Sequence, residues 1–271
     1  MFLQKRILTI VFGVGLLCSS AQLHASADLY ALGEDSGGAV QLVNLDAGVP
    51  SGAITLGATG VNDLHFLEYD PRDDWLISKA GSQVYHVDRT TGAATPFATS
   101  TTFDIQGMAF VTSLNQMLVA INSNPPGPEQ QIGRLNSDGS ITPLFSLSAS
   151  VPDIDDMFWD PVQMKLFASD VQSSTIYEID EVNGLLANSI SVTMGENFRA
   201  SINPLDGVIY EVSNPDTTIL HTRNASTGDP IATIGTIAGV DSVRGLSFVP
   251  EPATGLLLAA GFLLLGRRRV S

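Results

Sequence analysis

The chain of 271 residues is poor in cysteine, poor in basic residues and empty of acidic ones near its ends. Its one cysteine, Cys18, lies in a segment expected to be removed. The remainder would then have no disulfide, no thiolate nucleophile and no Cys-based metal site. Lys and Arg number 13 against 28 Asp and Glu, and the net charge of −15 argues against a nucleic-acid partner. Five of the 13 bases are terminal (Lys5, Arg6, Arg267, Arg268 and Arg269), and no acid precedes Asp28 or follows Glu251. The stretch between therefore sets 28 acids against 8 bases, a formal charge of −20. Charged residues make up only 15% of the chain and apolar ones 44%, which argues for a folded core rather than disorder. Catalytic signatures are missing too: there is no G-x-S-x-G, S-x-x-K, Walker or H-E-x-x-H pattern. Gly13-Val14-Gly15 falls in the leader and cradles no phosphate.

What is present begins with the two ends. Lys5 and Arg6 precede an apolar run from Ile7 to Leu17, and Ala25-Ser26-Ala27 offers the small-x-small pattern read by signal peptidase. Residues 1–27 are expected to be a signal peptide cleaved before Asp28. The apolar run is short for a retained span, which needs roughly 20 residues. Leu17 stands where lipidation of Cys18 would call for a small residue.

The other end reads Val249-Pro250-Glu251-Pro252, then an apolar run Ala253–Gly266, then Arg267-Arg268-Arg269. As a helix the run would be about 21 Å long at about 1.5 Å per residue, against a hydrocarbon core of about 30 Å. It is marginal as a permanent anchor, with the arginines held on the cytoplasmic side. This three-part tail, residues 249–271, resembles the PEP-CTERM sorting signal. The resemblance implies export in a Gram-negative bacterium and transient anchoring in the inner membrane by the 253–266 helix. It further implies processing by an exosortase that recognises Pro250, Glu251 and Pro252, then delivery to the cell surface or to an extracellular polysaccharide matrix.

Between the ends, residues 28–249 hold short strand-like runs bounded by Gly, Pro, Asn and Asp, with no long helical period. Five runs share one mark: an apolar strand, a polar residue, a further apolar residue, Asp or Asn, then a Gly turn. The marks are Asp46, Asp88, Asn136, Asp180 and Asn224, spaced by 42, 48, 44 and 44 residues. A period in the forties is that of a four-stranded propeller blade. A β-sandwich could carry the same alternation; the fivefold spacing selects the propeller. Inner strands are expected at Leu64–Tyr69, Gly107–Val111, Asp156–Trp159 and Arg199–Ile202. The first repeat has no inner strand, and Arg244–Val249 is an inner strand with no blade after it. The expected fold is all-β: a single five-bladed β-propeller whose first blade is closed by the C-terminal strand. The pattern resembles the YVTN-like and quinoprotein-like propeller groups at the level of fold. Trp159-Asp160 is not a WD signature, because it ends an inner strand.

Candidate chemistry is sparse. His86 is expected to face solvent from a third strand, in the column of Arg134 and Glu178, while His65 and His221 show no paired ligand spacing. The inner strands are preceded by Asn62, Asp63, Asp104, Asp153, Asp155, Asp156, Glu196, Asn197 and Asp241, on connections that converge at one face. Asp63, Asp104, Asp153, Asp155, Asp156 and Asp241 are candidate oxygen ligands for Ca²⁺, or acid and base groups of a hydrolase. The plainer reading is that Asp and Asn cap turns. The loop Asn122–Gln131 lengthens the third blade.

Two functions stay open: an exported, non-enzymatic surface or matrix protein contacting polysaccharide or another surface protein, or a secreted Ca²⁺-dependent lactonase or esterase.

Overall fold

The computed structural model describes residues 27–45, 52–97, 103–122, 130–147, 154–194, 198–213 and 218–251. The expected leader and sorting tail lie outside these residues, apart from Ala27 and Val249–Glu251. Every described element is a β-strand, and no described helix is long and apolar enough to cross a membrane.

The chain opens with β1 (Ala27–Glu34), β2 (Val40–Leu45) and β3 (Ile54–Ala58). Blade 2 follows as β4 (His65–Asp70), β5 (Trp75–Ala80), β6 (Gln83–Val87) and β7 (Ala94–Pro96). Blade 3 is β8 (Asp104–Val111), β9 (Gln116–Asn122), β10 (Gln131–Leu135) and β11 (Ile141–Ser146). Blade 4 is β12 (Asp156–Asp160), β13 (Lys165–Asp170), β14 (Thr175–Ile179) and β15 (Leu186–Ser191). Blade 5 is β16 (Arg199–Ile202), β17 (Val208–Val212), β18 (Ile219–Asn224) and β19 (Pro230–Thr236), and the last strand is β20 (Ser242–Pro250).

All five sheets have four antiparallel strands, and the first runs β20-β1-β2-β3. The C-terminal strand thus supplies the inner strand that the first repeat lacks, with Leu29 opposite Phe248 and Ala31 opposite Leu246. This is the expected five-bladed propeller with a shared closing blade. Without β20 the inner edge of β1 would be left unpaired in mid-blade.

Burial falls from the channel outward. β12 and β16 are buried along their whole length, whereas β19 is exposed at six of its seven positions. The core is divided into five apolar clusters, one between each pair of neighbouring blades. Leu32, Leu42, Leu64 and Leu76 join blades 1 and 2, for example, and Phe158, Ile176, Phe198 and Ile209 join blades 4 and 5. Cβ alternation lets each blade feed two such clusters. Inner strands come close enough to need glycine: a Cβ on Gly245 would sit 2.6 Å from the backbone carbon of Phe66.

The repeating mark does the local work expected of it. Asp88 accepts the amides of Thr90 and Thr91, Asp180 those of Val182 and Asn183, and Asn224 those of Ser226 and Thr227. Gly92, Gly184 and Gly228 then take φ of 75°, 71° and 75°, which turns the third strand into the fourth. Asn136 differs: its side chain bonds Ser140 and Thr142, and Asp138 caps the turn instead. Asp46 lies outside the described residues.

Candidate functional site at the two ends of the channel

The five inner strands run parallel to one another along the channel, so residues at matching positions form rings. Their N-terminal ends receive the connections from the fourth strands, and there the acidic candidates are found. Asp63 holds His65 at 2.7 Å, and Asp104 holds Lys79 at 3.1 Å. Asp155 accepts the amide of Val171, and Asp241 donates its own amide to the carbonyl of Glu34. Asp156 accepts the amides of Met157 and, one blade on, of Ala200. Asp153, Glu196 and Asn197 lie outside the described residues. Among the described residues no three His, Asp or Glu side chains gather into a group able to hold a metal ion. Of the carboxylates that the sequence suggested as a shared Ca²⁺ cradle, those of Asp63, Asp104, Asp155 and Asp156 are engaged one by one.

The cations of this end are what the sequence reading passed over. Arg244 grips Glu34 through Nε at 2.7 Å and also through Nη2, and its Nη1 lies 3.2 Å from His65 and 3.5 Å from Asp63. Arg199 reaches further. It donates to the carbonyls of Phe198, of Asp155 on the blade 4 side and of Arg244 in blade 1. Its guanidinium also lies 4.7 Å above the Phe66 ring of blade 2, which Lys79 approaches at 5.5 Å. One side chain thus ties four blades together and fills this end of the channel. Phe66 accommodates it at a backbone φ of 60°, beside an irregularity in the β4–β5 ladder. For a bulky residue that conformation is strained by about 1–3 kcal/mol. Burial lifts the Asp156 carboxyl to about 7, against the pull of Arg199 and of the two amides. Burial also pulls His65 below its ordinary range, despite Asp63.

At the C-terminal ends of the same strands lies a cavity of about 160 Å³. Tyr69, Phe110, Trp159, Ile202 and Phe248, one from each blade, line it, and two residues further along so do Pro71, Thr112, Pro161, Pro204 and Pro250. From the sequence, Pro71, Pro161 and Pro204 are legible only as boundaries of strand-like runs, and Pro250 as part of the Pro-Glu-Pro motif. Had the inner strands been aligned on them, the aromatic residue two positions earlier would have shown the ring. Trp159 is fixed by its indole N–H, which donates to Thr112 Oγ1 of blade 3 at 2.8 Å. Below the aromatic ring are Glu68, Ser201 and Ser247. Glu68 Oε1 accepts the Phe110 amide at 2.8 Å and Ser201 Oγ the Phe248 amide at 3.1 Å, each joining one inner strand to the next blade. Burial pushes the Glu68 carboxyl up to about 8, and the Phe110 amide draws it back only in part. That shift favours the neutral carboxyl near pH 7.

The remaining histidines have structural surroundings. His86 does not face open solvent as expected: it is half-buried, stacked on Phe97 at 4.0 Å and on Trp75 at 5.0 Å. The aromatic neighbours on adjacent strands cover the polar column that the strand period assigned to it. His221 meets Thr233 across the β18–β19 pair at 3.1 Å. Of the loop Asn122–Gln131, residues 123–129 lie outside the described set.

No family model matches the chain, and no curated protein matches it. Among solved structures it is similar to a chain of the nidogen/laminin complex, at 9% identity and TM-score 0.54, over 82% of this chain and 98% of that one. A protein of unknown function from Bacteroides caccae aligns at 10% identity and TM-score 0.48, over 83% and 99%. A periplasmic gluconolactonase of Pseudomonas aeruginosa aligns at 12% and 0.46, over 83% and 99%. At these identities the likeness speaks to the fold and not to the chemistry.

Proposed function

We propose that the protein is an exported, exosortase-processed surface or matrix protein whose propeller is a non-enzymatic binding or structural module. The observation that carries this reading is where the ring stops. β20 pairs with β1 up to its last residue, Pro250 opposite Ala27, and Pro250 and Glu251 are exposed. The Pro-Glu-Pro motif therefore starts at the final ladder position, with no linker between folded ring and signal. Pro252 disfavours a helical conformation at Glu251, so the recognition residue stays extended and reachable. The ring also begins where the leader is expected to be cut, with Ala27 opposite Pro250.

What supports a binding role is the mouth, where five blades present aromatic and proline side chains over a carboxyl and two hydroxyls. Polysaccharide or another surface protein is the partner this reading assigns. The Ca²⁺-dependent lactonase alternative draws no support from the acidic end, where the carboxylates of Asp63, Asp104, Asp155 and Asp156 already have amide or cationic partners.

The test is mass spectrometry of the C-terminus in the native host. Pro250→Ala with Glu251→Ala should leave export intact and accumulate an unprocessed, membrane-bound form. Deleting Arg267–Arg269 should instead release unprocessed protein, since those charges hold the short segment in place. Matrix-located wild-type protein still carrying Leu256–Leu265 would overturn the reading.

A further inference from the structure

We infer that the mouth-bearing face of the ring is a lipid-docking surface, fitted to a zwitterionic bilayer. This deepens the sorting reading and rests on it.

The first observation is where the exposed apolar side chains are. Val162 and Met164 lie in the turn from β12 to β13, and Leu205 in the turn from β16 to β17. Val182 and Leu185 lie in the turn from β14 to β15. All five are between 47% and 65% exposed, and all three turns belong to the face on which the mouth opens; the other exposed large hydrophobic side chains, Ile54, Leu144, Ile231 and Ile234, lie on the outer strands β3, β11 and β19. Among the described residues no exposed large hydrophobic side chain falls in the connections of the opposite face. Two of the turns adjoin the mouth: Pro161 and Pro204, next in sequence to Val162 and Leu205, line the cavity, and a Cβ on Gly207 would sit 3.6 Å from Val162. Exposed apolar surface grouped on one face marks an interaction site.

The second observation is backbone conformation. Blades 2, 3 and 5 end the matching turn with Asp74, Asn115 and Gly207, at φ between 53° and 71°. These residue types tolerate the left-handed region. Blade 4 places Met164 there, at φ 57° and 51% exposed. A strained, solvent-facing methionine is unfavourable in water on both counts, and lipid contact removes one of them.

The third observation is where the described chain ends. Pro250 lines the mouth and Glu251 follows it, and residues 253–266 carry no charge. Glu251 and Pro252 together span about 7 Å at most. The described chain therefore ends on this face, two residues before the uncharged run begins. The lipid class follows from the charges in the turns of this face, where Asp73, Asp138, Glu181, Asp206 and Asp229 outnumber Arg72 and Arg89 and repel an anionic surface.

The test uses the full chain carrying Cys18→Ser and one added cysteine, bearing an environment-sensitive fluorophore, with phosphatidylcholine vesicles holding nitroxide-labelled acyl chains. Labels at Val162→Cys and Leu205→Cys should be quenched at least about twofold more than one at Ser36→Cys, in the β1–β2 turn of the opposite face. Adding phosphatidylglycerol at low salt should weaken that quenching. Val162→Ser with Leu205→Ser should keep the melting temperature and reduce the quenching of a label at Val182→Cys. Vesicle association with equal quenching at all sites overturns the docking surface and leaves the tail reading standing. No vesicle association overturns the tail reading. Self-association without lipid that shields positions 162 and 205 assigns the face to a second copy and overturns the lipid.

Discussion

At the N-terminal ends of the inner strands Arg199, Arg244 and Lys79 meet carbonyls and carboxylates within 3.1 Å, while roughly 10 Å along the same strands stand Tyr69, Phe110, Trp159, Ile202 and Phe248. The strands, their spacing and their neighbours are shared, so position along the strand rather than blade identity sets the chemistry. The charged end is geometrically strict: Arg199 makes three hydrogen bonds into three different strand ends and stacks on a fourth blade. The mouth is built from van der Waals contact with few directional bonds, and it tolerates variation around the ring, with Ile202 and Thr112 replacing an aromatic and a proline. One end holds the blades in register and the other is free to meet something outside the protein.

Both ends depend on ring closure, and its loss has the largest expected effect. Deleting residues 244–249 removes Leu246 and Phe248 from the cluster between blades 5 and 1 and exposes two sheet edges. We expect aggregation, or a melting temperature lower by about 20 °C. An unchanged melting temperature would break the shared blade and the comparison with it.

Next comes Arg199→Met. It removes the cation beside Asp156 and empties the position above Phe66, and a cost of about 3–5 kcal/mol is expected by urea denaturation. Adding Asp156→Asn should recover part of that cost, because the uncompensated carboxylate goes with it. A loss under about 1 kcal/mol would show that the charged end does not hold the blades.

The smallest effect separates the ends by pH. Asp156 and Glu68 titrate near 7 and 8 in the folded ring and near 4 when unfolded, so the folded state binds more protons between those values. Their contribution to stability is complete below pH about 4 and is lost as pH rises through 7 and 8. Glu68→Gln keeps an acceptor for the Phe110 amide, and it should roughly halve the decline between pH about 4 and 7 and remove it between 7 and 8. A stability profile that rises from pH 5 to 8 with Glu68 intact runs against this assignment.

Much of the frame could be read from the chain before folding was considered. The Asx-Gly mark predicted the hairpins that Asp88, Asp180 and Asn224 cap, because those bonds join residues two or three apart. The missing inner strand of the first repeat and the unmatched Arg244–Val249 predicted the shared blade by simple counting. Boundaries moved where pairing extends beyond the apolar core: β8 begins at Asp104 rather than Gly107. The site was less legible. The acids were visible at one end of the strands, but their partners Lys79, Arg199 and Arg244 lie outside that run of turns. His86 was placed by strand period alone, which does not register Trp75 and Phe97 from neighbouring strands.

The sequence by itself determined the number of blades and the turns that make them, because each depends on short spacings and local capping bonds. Only the tertiary structure decided that Arg199 would reach four blades, that Glu68 would sit beneath an apolar ring, and that the exposed Val162, Met164 and Leu205 would share a face with Pro250. Those relations join residues more than forty positions apart. They exist only once five separate interfaces have closed the ring.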